Sequence, residues 1–222
     1  MSSISIPLLW DIHSHRPSTE GGVCTVVNHE QNDNICTAST PYASIGIHPW
    51  QLNPDSFDKR LRALERSLAD RRFVAIGEVG LDKLRSPASP TFQLEALERV
   101  ALLAQAAKLP LIIHCVKAAG ELMALHKRLR PSSPWVWHGF RGNPQLAEAL
   151  LKQGFYLSFG PRFQTESLLI TPPDRLLLET DDSLASPHAL LKDMAALRQV
   201  EIEALRLKIN DNTQRILAIN TL

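Results

Sequence analysis

The chain has 222 residues, 44% of them hydrophobic and 21% charged, with a formal net charge of +1. That is the make-up of an ordinary globular protein able to bury a large core, and its length fits one α/β barrel unit spanning residues 1–222. Near-neutral charge excludes a broad basic face that would grip nucleic acid, so any phosphate contact is expected to be local.

In chain order, the opening stretch Met1–Trp10 has neither a basic n-region nor a small-residue cleavage site, and no run nears a span's worth of apolar residues. No export or membrane span is expected. Apolar runs of strand length follow at Leu8–Ile12, Cys24–Asn28, Ala43–Ile47, Phe73–Ile76, Leu111–Ile113, Trp135–Trp137, Phe155–Leu157 and Arg175–Leu178. Their lack of alternation predicts burial on both faces, hence parallel strands. The stretches 15–24 and 29–42 between the first three runs are polar and rich in Gly, Pro, Asn and Thr. The first is too short for a regular crossover helix and the second lacks an apolar stripe, so helices are expected to be missing or reduced between strands one and three.

From there the pattern is regular. Asn53-Pro54 caps a helix with Phe57, Leu61, Leu64 and Leu68 on one face, and Ser89-Pro90 caps another with Leu94, Leu97, Ala101 and Ala104. A helix with Leu122, Leu125 and Leu129 ends at Pro131, and Asn143-Pro144 opens one that stops at Gly154. Ser186-Pro187 begins a helix with Leu190, Met194 and Leu197, and a periodic segment runs from Val200 to Leu222 as a helical C-terminal extension. Strand alternating with helix predicts βα units in a parallel barrel or sheet. Apolar strand faces around Leu9, Val26 and Ile45 then need cover, either from a partner molecule or a second copy, or from the helices after Ser186. Cys24, Cys36 and Cys115 are odd in number without CxxC spacing, which fits a reducing cytoplasm and excludes a disulfide framework.

The chemistry lies at the strand ends, in the order His13/His15, His48, Glu78, His114, His138, Asp181. His13 and His15 are two apart, so on a strand both imidazoles project to one side and can share a metal. An HxH pair alone is weak; the later strand-end residues give it weight, because all of them converge once the strands close. Glu78 sits between glycines in Gly77-Glu78-Val79-Gly80, where a tight backbone turn is expected, and its two oxygens can bridge two cations. Asp181, at the mouth in Glu179-Thr180-Asp181-Asp182, is the candidate ligand and proton acceptor; Glu179 lies a layer deeper to orient a neighbour, and Asp182 faces away. His29, His126 and His188 are assigned to surface or helix roles. Strand-end carboxylates and imidazoles in this order suit two-metal hydrolysis.

These blocks carry a resemblance. Asp11-Ile-His-Ser-His15, Gly46-Ile-His-Pro49, Gly77-Glu-Val-Gly-Leu-Asp82, Ile113-His-Cys-Val-Lys117, His138-Gly-Phe-Arg-Gly142, Ser158-Phe-Gly160 and Leu178-Glu-Thr-Asp181 resemble, in order, the TatD family of metal-dependent hydrolases within the amidohydrolase superfamily. The resemblance implies a TIM-type (β/α)8 barrel and nuclease activity on DNA. It also implies divalent metal ions held by His13, His15, Glu78, His114, His138 and Asp181, with His48 lining the substrate site. The chain departs from the family pattern at Lys83, where an aromatic is expected, at Lys117, where arginine is usual, and in a shortened loop from Asp182 to Pro187.

The expected activity is deoxyribonuclease cleavage of single-stranded DNA, exonuclease-like, by a metal-activated water, with two cations (Mg, Mn or Zn) and with Asp181, Glu78 and His48 as catalytic residues. Basic and aromatic residues at predicted loop tips are Arg16, Trp50, Lys83, Lys117, Phe140, Arg141, Arg162 and Phe163. Of these Lys117, Arg141 and Trp50, with His48, are the expected substrate contacts. Two rival readings use the same residues: an ester or amide hydrolase such as an aminoacyl-tRNA deacylase, or a metal-binding subunit working inside a protein complex.

Overall fold

The computed structural model describes residues 8–30 and 40–219. Cys36 and most of the second polar connection lie outside the described residues. The strands are β1 (Leu9–Ser14), β2 (Val23–Glu30), β3 (Ala43–Gly46), β4 (Phe73–Asp82), β5 (Leu111–Val116), β6 (Trp135–Trp137), β7 (Tyr156–Phe159) and β8 (Leu176–Leu178). They form one eight-stranded sheet in sequential order, every neighbouring pair parallel. Helices α1 (Pro54–Ser67), α2 (Pro90–Ala107), α3 (Ala119–Leu129), α4 (Pro144–Lys152), α5 (Thr165–Ile170), α6 (Pro187–Arg198) and α7 (Ile202–Leu217) complete the βα alternation of a TIM-type barrel.

The helix starts follow from local chemistry. The side chains of Asn53, Ser89, Asn143 and Ser186 each accept a backbone N–H of the first turn, ahead of a proline that needs no partner for its own nitrogen. Helix α5 was not anticipated: six residues without a side-chain cap leave too little periodicity to read.

All eight predicted strands form, but β4 runs six residues past its apolar run, through Asp82. The glycines around Glu78 therefore serve close approach and not a turn. A Cβ on Gly80 would fall 1.9 Å from the carbonyl oxygen of His114, and one on Gly46 2.6 Å from the carbonyl of Glu78. Strand β2 also runs on to Glu30, so His29 belongs to a strand and not to a loop; its ring lies 6.2 Å from that of Phe73.

The sheet closes at the mouth. Asp181 donates its N–H to the carbonyl of His13 (3.0 Å) and accepts the N–H of His15 (3.1 Å), which pairs β1 with the chain just past β8. Ile112 and Val136, each two before a mouth histidine, form a buried cluster with Tyr156, Leu177, Trp10, Ile12, Val26 and Val74. Ile216 and Leu217 at the end of α7 join it.

The connection from His15 to Gly22 has no helix, as expected. The apolar faces it was expected to bare are nevertheless covered, since Leu9, Val26 and Ile45 are each 0% exposed. Helix α7 packs on β1 and β8, and Asn210 at its centre accepts the N–H of Trp10 (3.0 Å) while donating to the carbonyl of Leu8. Among the described residues these strand positions are covered within the chain, with the helices after Ser186 packed on β1 and β8, the alternative to a partner molecule or second copy. Among the described residues no helix is long and apolar enough to cross a membrane. Asn210→Ala strands the Trp10 N–H, and should lower stability by about 2 kcal/mol in urea unfolding followed by circular dichroism.

Candidate metal centre

Each residue of the expected set reaches the carboxyl end of the barrel. His13 and the adjacent Ser14 end β1, with His15 next; Glu78 lies within β4 and His114 within β5. His48 follows β3, His138 follows β6 and Asp181 follows β8. The two oxygens of Glu78 face different neighbours. Oε2 is 3.6 Å from Nε2 of His13 and 3.8 Å from Nε2 of His15, and Oδ1 of Asp181 stands 3.6 and 3.5 Å from the same two nitrogens. Oε1 is 2.7 Å from Nε2 of His138, 2.8 Å from Nδ1 of His114 and 3.2 Å from Nε2 of His48.

The first group has the dimensions of a shared cation. Its separations exceed hydrogen-bond length, yet two ligands at ordinary zinc–nitrogen and zinc–oxygen distances stand about 3.4 Å apart in tetrahedral geometry. Both ring nitrogens of His13 are buried without a hydrogen-bond partner among the described residues, a cost a buried polar group normally avoids and a bound cation would remove. Three trios have ligand atoms within 4.8 Å of one another and could hold a metal ion: His13, His15 and Glu78; His13, His138 and Asp181; His48, Glu78 and His114. Glu78 belongs to two of them, as a bridging carboxylate must.

Supporting carboxylates aim the rings. Fully buried Glu179 places Oε1 3.3 Å from Nδ1 of His138, which turns Nε2 toward Glu78 and fulfils the orienting role expected of it. Asp82 does the same for His114, with Oδ2 3.1 Å from Nε2. The third, Asp11, accepts the backbone N–H of Thr180 (3.1 Å) and its hydroxyl (2.6 Å), tying β1 to the approach to Asp181. The roles of Asp11 and Asp82 were missed by sequence reasoning; the available signal is a carboxylate one strand period from a candidate ligand (Asp11) or at the end of the Glu78 strand (Asp82).

Charge is arranged accordingly. Burial alone would raise the pKa of Glu78, but His138, His114 and His48 hold it well below the usual carboxylate range. Burial likewise opposes the charge on His138, and Glu78 and Glu179 outweigh it, raising its pKa well above that of a free imidazole. Asp181 is held low by His13 and His15 against burial. Burial pushes Asp11 up to about 7. Asp181 has φ +57°, a left-handed conformation costly for a non-glycine residue and fixed here by its three bonds to β1: its N–H to His13, and its carbonyl to the His15 N–H and the Ser14 hydroxyl.

A cleft of about 980 Å³ lies over the centre, and His48, Trp50, Lys117 and Arg141 line it, as expected. Lys117 and Arg141 are exposed and make no ion pair among the described residues. Other loop-tip candidates are engaged elsewhere. Lys83 pairs with Glu121, Arg16 donates to the carbonyl of Asp182, and Phe140 is fully buried against Trp137 and Phe159, so it is a core ring and not a stacking one. Arg162 lies in a separate hollow that shares Arg141 and Asp181 with the cleft. Asp182, expected to face away, lines the cleft.

A parallel barrel that collects imidazoles and carboxylates around the two oxygens of one glutamate at its carboxyl end fits a metal-dependent hydrolase. This chain belongs to the TatD-related DNase family, whose model matches residues 19–218. That match begins after His13 and His15, whose place in the centre rests on geometry. The metal-dependent hydrolase YabD of Bacillus subtilis, described as uncharacterized, is 28% identical over 81% of this chain and 78% of its own length. A protein of Cronobacter turicensis named 3'-5' ssDNA/RNA exonuclease TatD is 34% identical over 74% of this chain and 66% of its own. The fold matches the TatD homologue YjjV of Escherichia coli K12 with a TM-score of 0.82 at 22% identity, covering 96% of this chain and 98% of the other.

Zinc-reconstituted protein should hold one to two divalent ions per chain by elemental analysis. Glu78→Gln should lose bound metal and at least roughly 100-fold in hydrolysis while keeping its circular dichroism spectrum. Full metal content with full activity in that variant would contradict the bridging geometry.

Proposed function

We propose that residues 1–222 form one catalytic unit that hydrolyses phosphodiester bonds of single-stranded nucleic acid, DNA above all, working from an end. The division of Glu78 between two groups of imidazoles carries this reading, because a pair of cations is the arrangement that clamps both oxygens of an in-line displacement at phosphorus. Two further observations support it: unpaired Lys117 and Arg141 beside the half-exposed ring of Trp50 in the cleft, and the name of the Cronobacter relative.

His13, His15 and Asp181 with Oε2 of Glu78 would hold one cation, and His114 and His138 with Oε1 the other. Bound cations, whether magnesium, manganese or zinc, supply a lowered water pKa and neutralise charge on the phosphate. The chain's residues do the rest. Asp181, fixed at the mouth with its carboxylate beside His13 and His15, accepts the proton of the attacking water. Nδ1 of His48 accepts the N–H of Trp50 (3.2 Å), so Nε2 carries a proton and faces the centre as a donor to a substrate oxygen. Lys117 and Arg141 draw the flanking phosphates into the cleft, and Trp50 offers a ring to a base.

The deciding experiment incubates the metal-loaded protein and its chelated control with labelled single-stranded DNA, duplex DNA, RNA and aminoacyl-tRNA. Metal-dependent shortening of the single strands is expected. Release of amino acid alone would establish the deacylase reading, and inertness toward all four would favour the subunit reading.

Asp181→Asn should lower kcat by roughly 100-fold or more with a smaller change in KM. A loss confined to KM would refute its role as proton acceptor. Lys117→Ala should instead raise KM and reduce the slope of log affinity against log salt by about one. An unchanged slope would remove Lys117 from the phosphate path.

A further inference from the structure

We infer that Asp82 is a positioning residue that joins the metal centre to the aromatic wall of the cleft, so that cation loading at His114 and the placement of Trp50 are linked. The inference extends the nuclease reading by giving its stacking ring a fixed mechanical connection to the centre.

The geometry is compact. Asp82 is 1% exposed, and both carboxylate oxygens are in use. Oδ2 accepts the indole N–H of Trp50 at 2.6 Å and stands 3.1 Å from Nε2 of His114. Oδ1 accepts the backbone N–H groups of Leu84 (2.8 Å) and Arg85 (3.0 Å), and the backbone N–H of Asp82 itself donates to Oε1 of buried Gln93 (2.7 Å). A carboxylate so tightly held cannot follow one partner without moving the other, because one oxygen serves both rings.

Each partner is placed for a task. Asp82 on Nε2 of His114 keeps Nδ1 of that ring directed at Oε1 of Glu78, 2.8 Å away, where it would be the ligating nitrogen once a cation is bound. Trp50 stands edge-on to His114 with ring centroids 5.7 Å apart and to His48 at 4.7 Å. The guanidinium carbon of Arg85 lies 3.7 Å from the Trp50 ring centroid, so Asp82 also anchors, through the Arg85 backbone, a cation layered on the indole. Arg85 has no ion-pair partner among the described residues, so its contact with the indole is what anchors its side chain. One buried carboxylate thus fixes a candidate ligand, a candidate stacking ring and a cation.

The test titrates the protein with zinc alone and follows tryptophan emission and zinc affinity by chelator competition. The Trp50 contribution is identified by difference against Trp50→Phe, since Trp10, Trp135 and Trp137 are buried. Wild-type protein is expected to shift its Trp50 emission on zinc binding. In Asp82→Asn zinc should bind about 10- to 100-fold more weakly, and at matched zinc occupancy the emission shift should be missing. Wild-type zinc affinity together with an unchanged shift in that variant would overturn the inference. If Asp82→Asn does not fold, Trp50→Phe carries the test: removing the indole donor from Oδ2 should change zinc affinity severalfold and raise KM for an oligothymidylate, and no change in either would overturn it. The zinc measurements use no nucleic acid, so a wild-type protein that cleaves none would end the nuclease reading while leaving the link between Asp82, His114 and Trp50 to be judged on zinc and fluorescence.

Discussion

The mouth of this barrel is organised by one buried carboxylate. Glu78 is 5% exposed, and an ionised carboxylate at that depth is costly unless charge and hydrogen bonds compensate it from several sides. Compensation comes from His48, His114 and His138 on one oxygen, while His13 and His15 face the other at 3.6 and 3.8 Å. Those imidazoles arise from the ends of β1, β3, β5 and β6, strands on different sides of Glu78. An open sheet would spread them along an edge. Only closure brings them to one carboxylate, so the fold and the chemistry share a cause.

Closure itself passes through the site. The bonds between β1 and the end of β8 join the backbones of His13 and His15 to Asp181, and Asp11 reinforces them from below through Thr180. The left-handed conformation of Asp181 is held at this seam. Strain at such a point is stored where the surrounding structure fixes it, and here it turns a carboxylate toward the histidines of the opposite strand. Anything that loosens the seam loosens three candidate ligands together.

Above the centre the cations divide into two kinds. Lys83 is matched to Glu121, Arg16 to the carbonyl of Asp182, and Arg85 to the ring of Trp50, whereas Lys117 and Arg141 line the cleft and make no ion pair among the described residues. A protein with a formal charge of +1 can therefore still present local positive charge where a phosphate would lie. Lys117 adopts φ +55° to do so, directly after β5.

The sequence by itself determined the strands, the capped helices and the residues that face the mouth. Unbroken apolar runs have few ways to be buried, and Asn-Pro or Ser-Pro pairs start helices through bonds made within one turn. Candidate ligands were legible because His and Glu at strand ends share a period with buried residues below them. What local pattern does not encode was decided by tertiary structure. Gly80 reads as a turn until His114 is seen packed against it, and Phe140 reads as a loop-tip ring until the core closes over it. Asp82 gains its role only when Trp50 and His114, 32 residues away on either side, meet at one of its oxygens. Helix α7 covers β1 through Asn210, 200 residues from Trp10, a pairing no short-range periodicity contains. Contacts made within a turn or a strand can be read from neighbouring residues, whereas those that set a ring, a charge or a strand's cover depend on chain closure and are fixed only when the barrel forms.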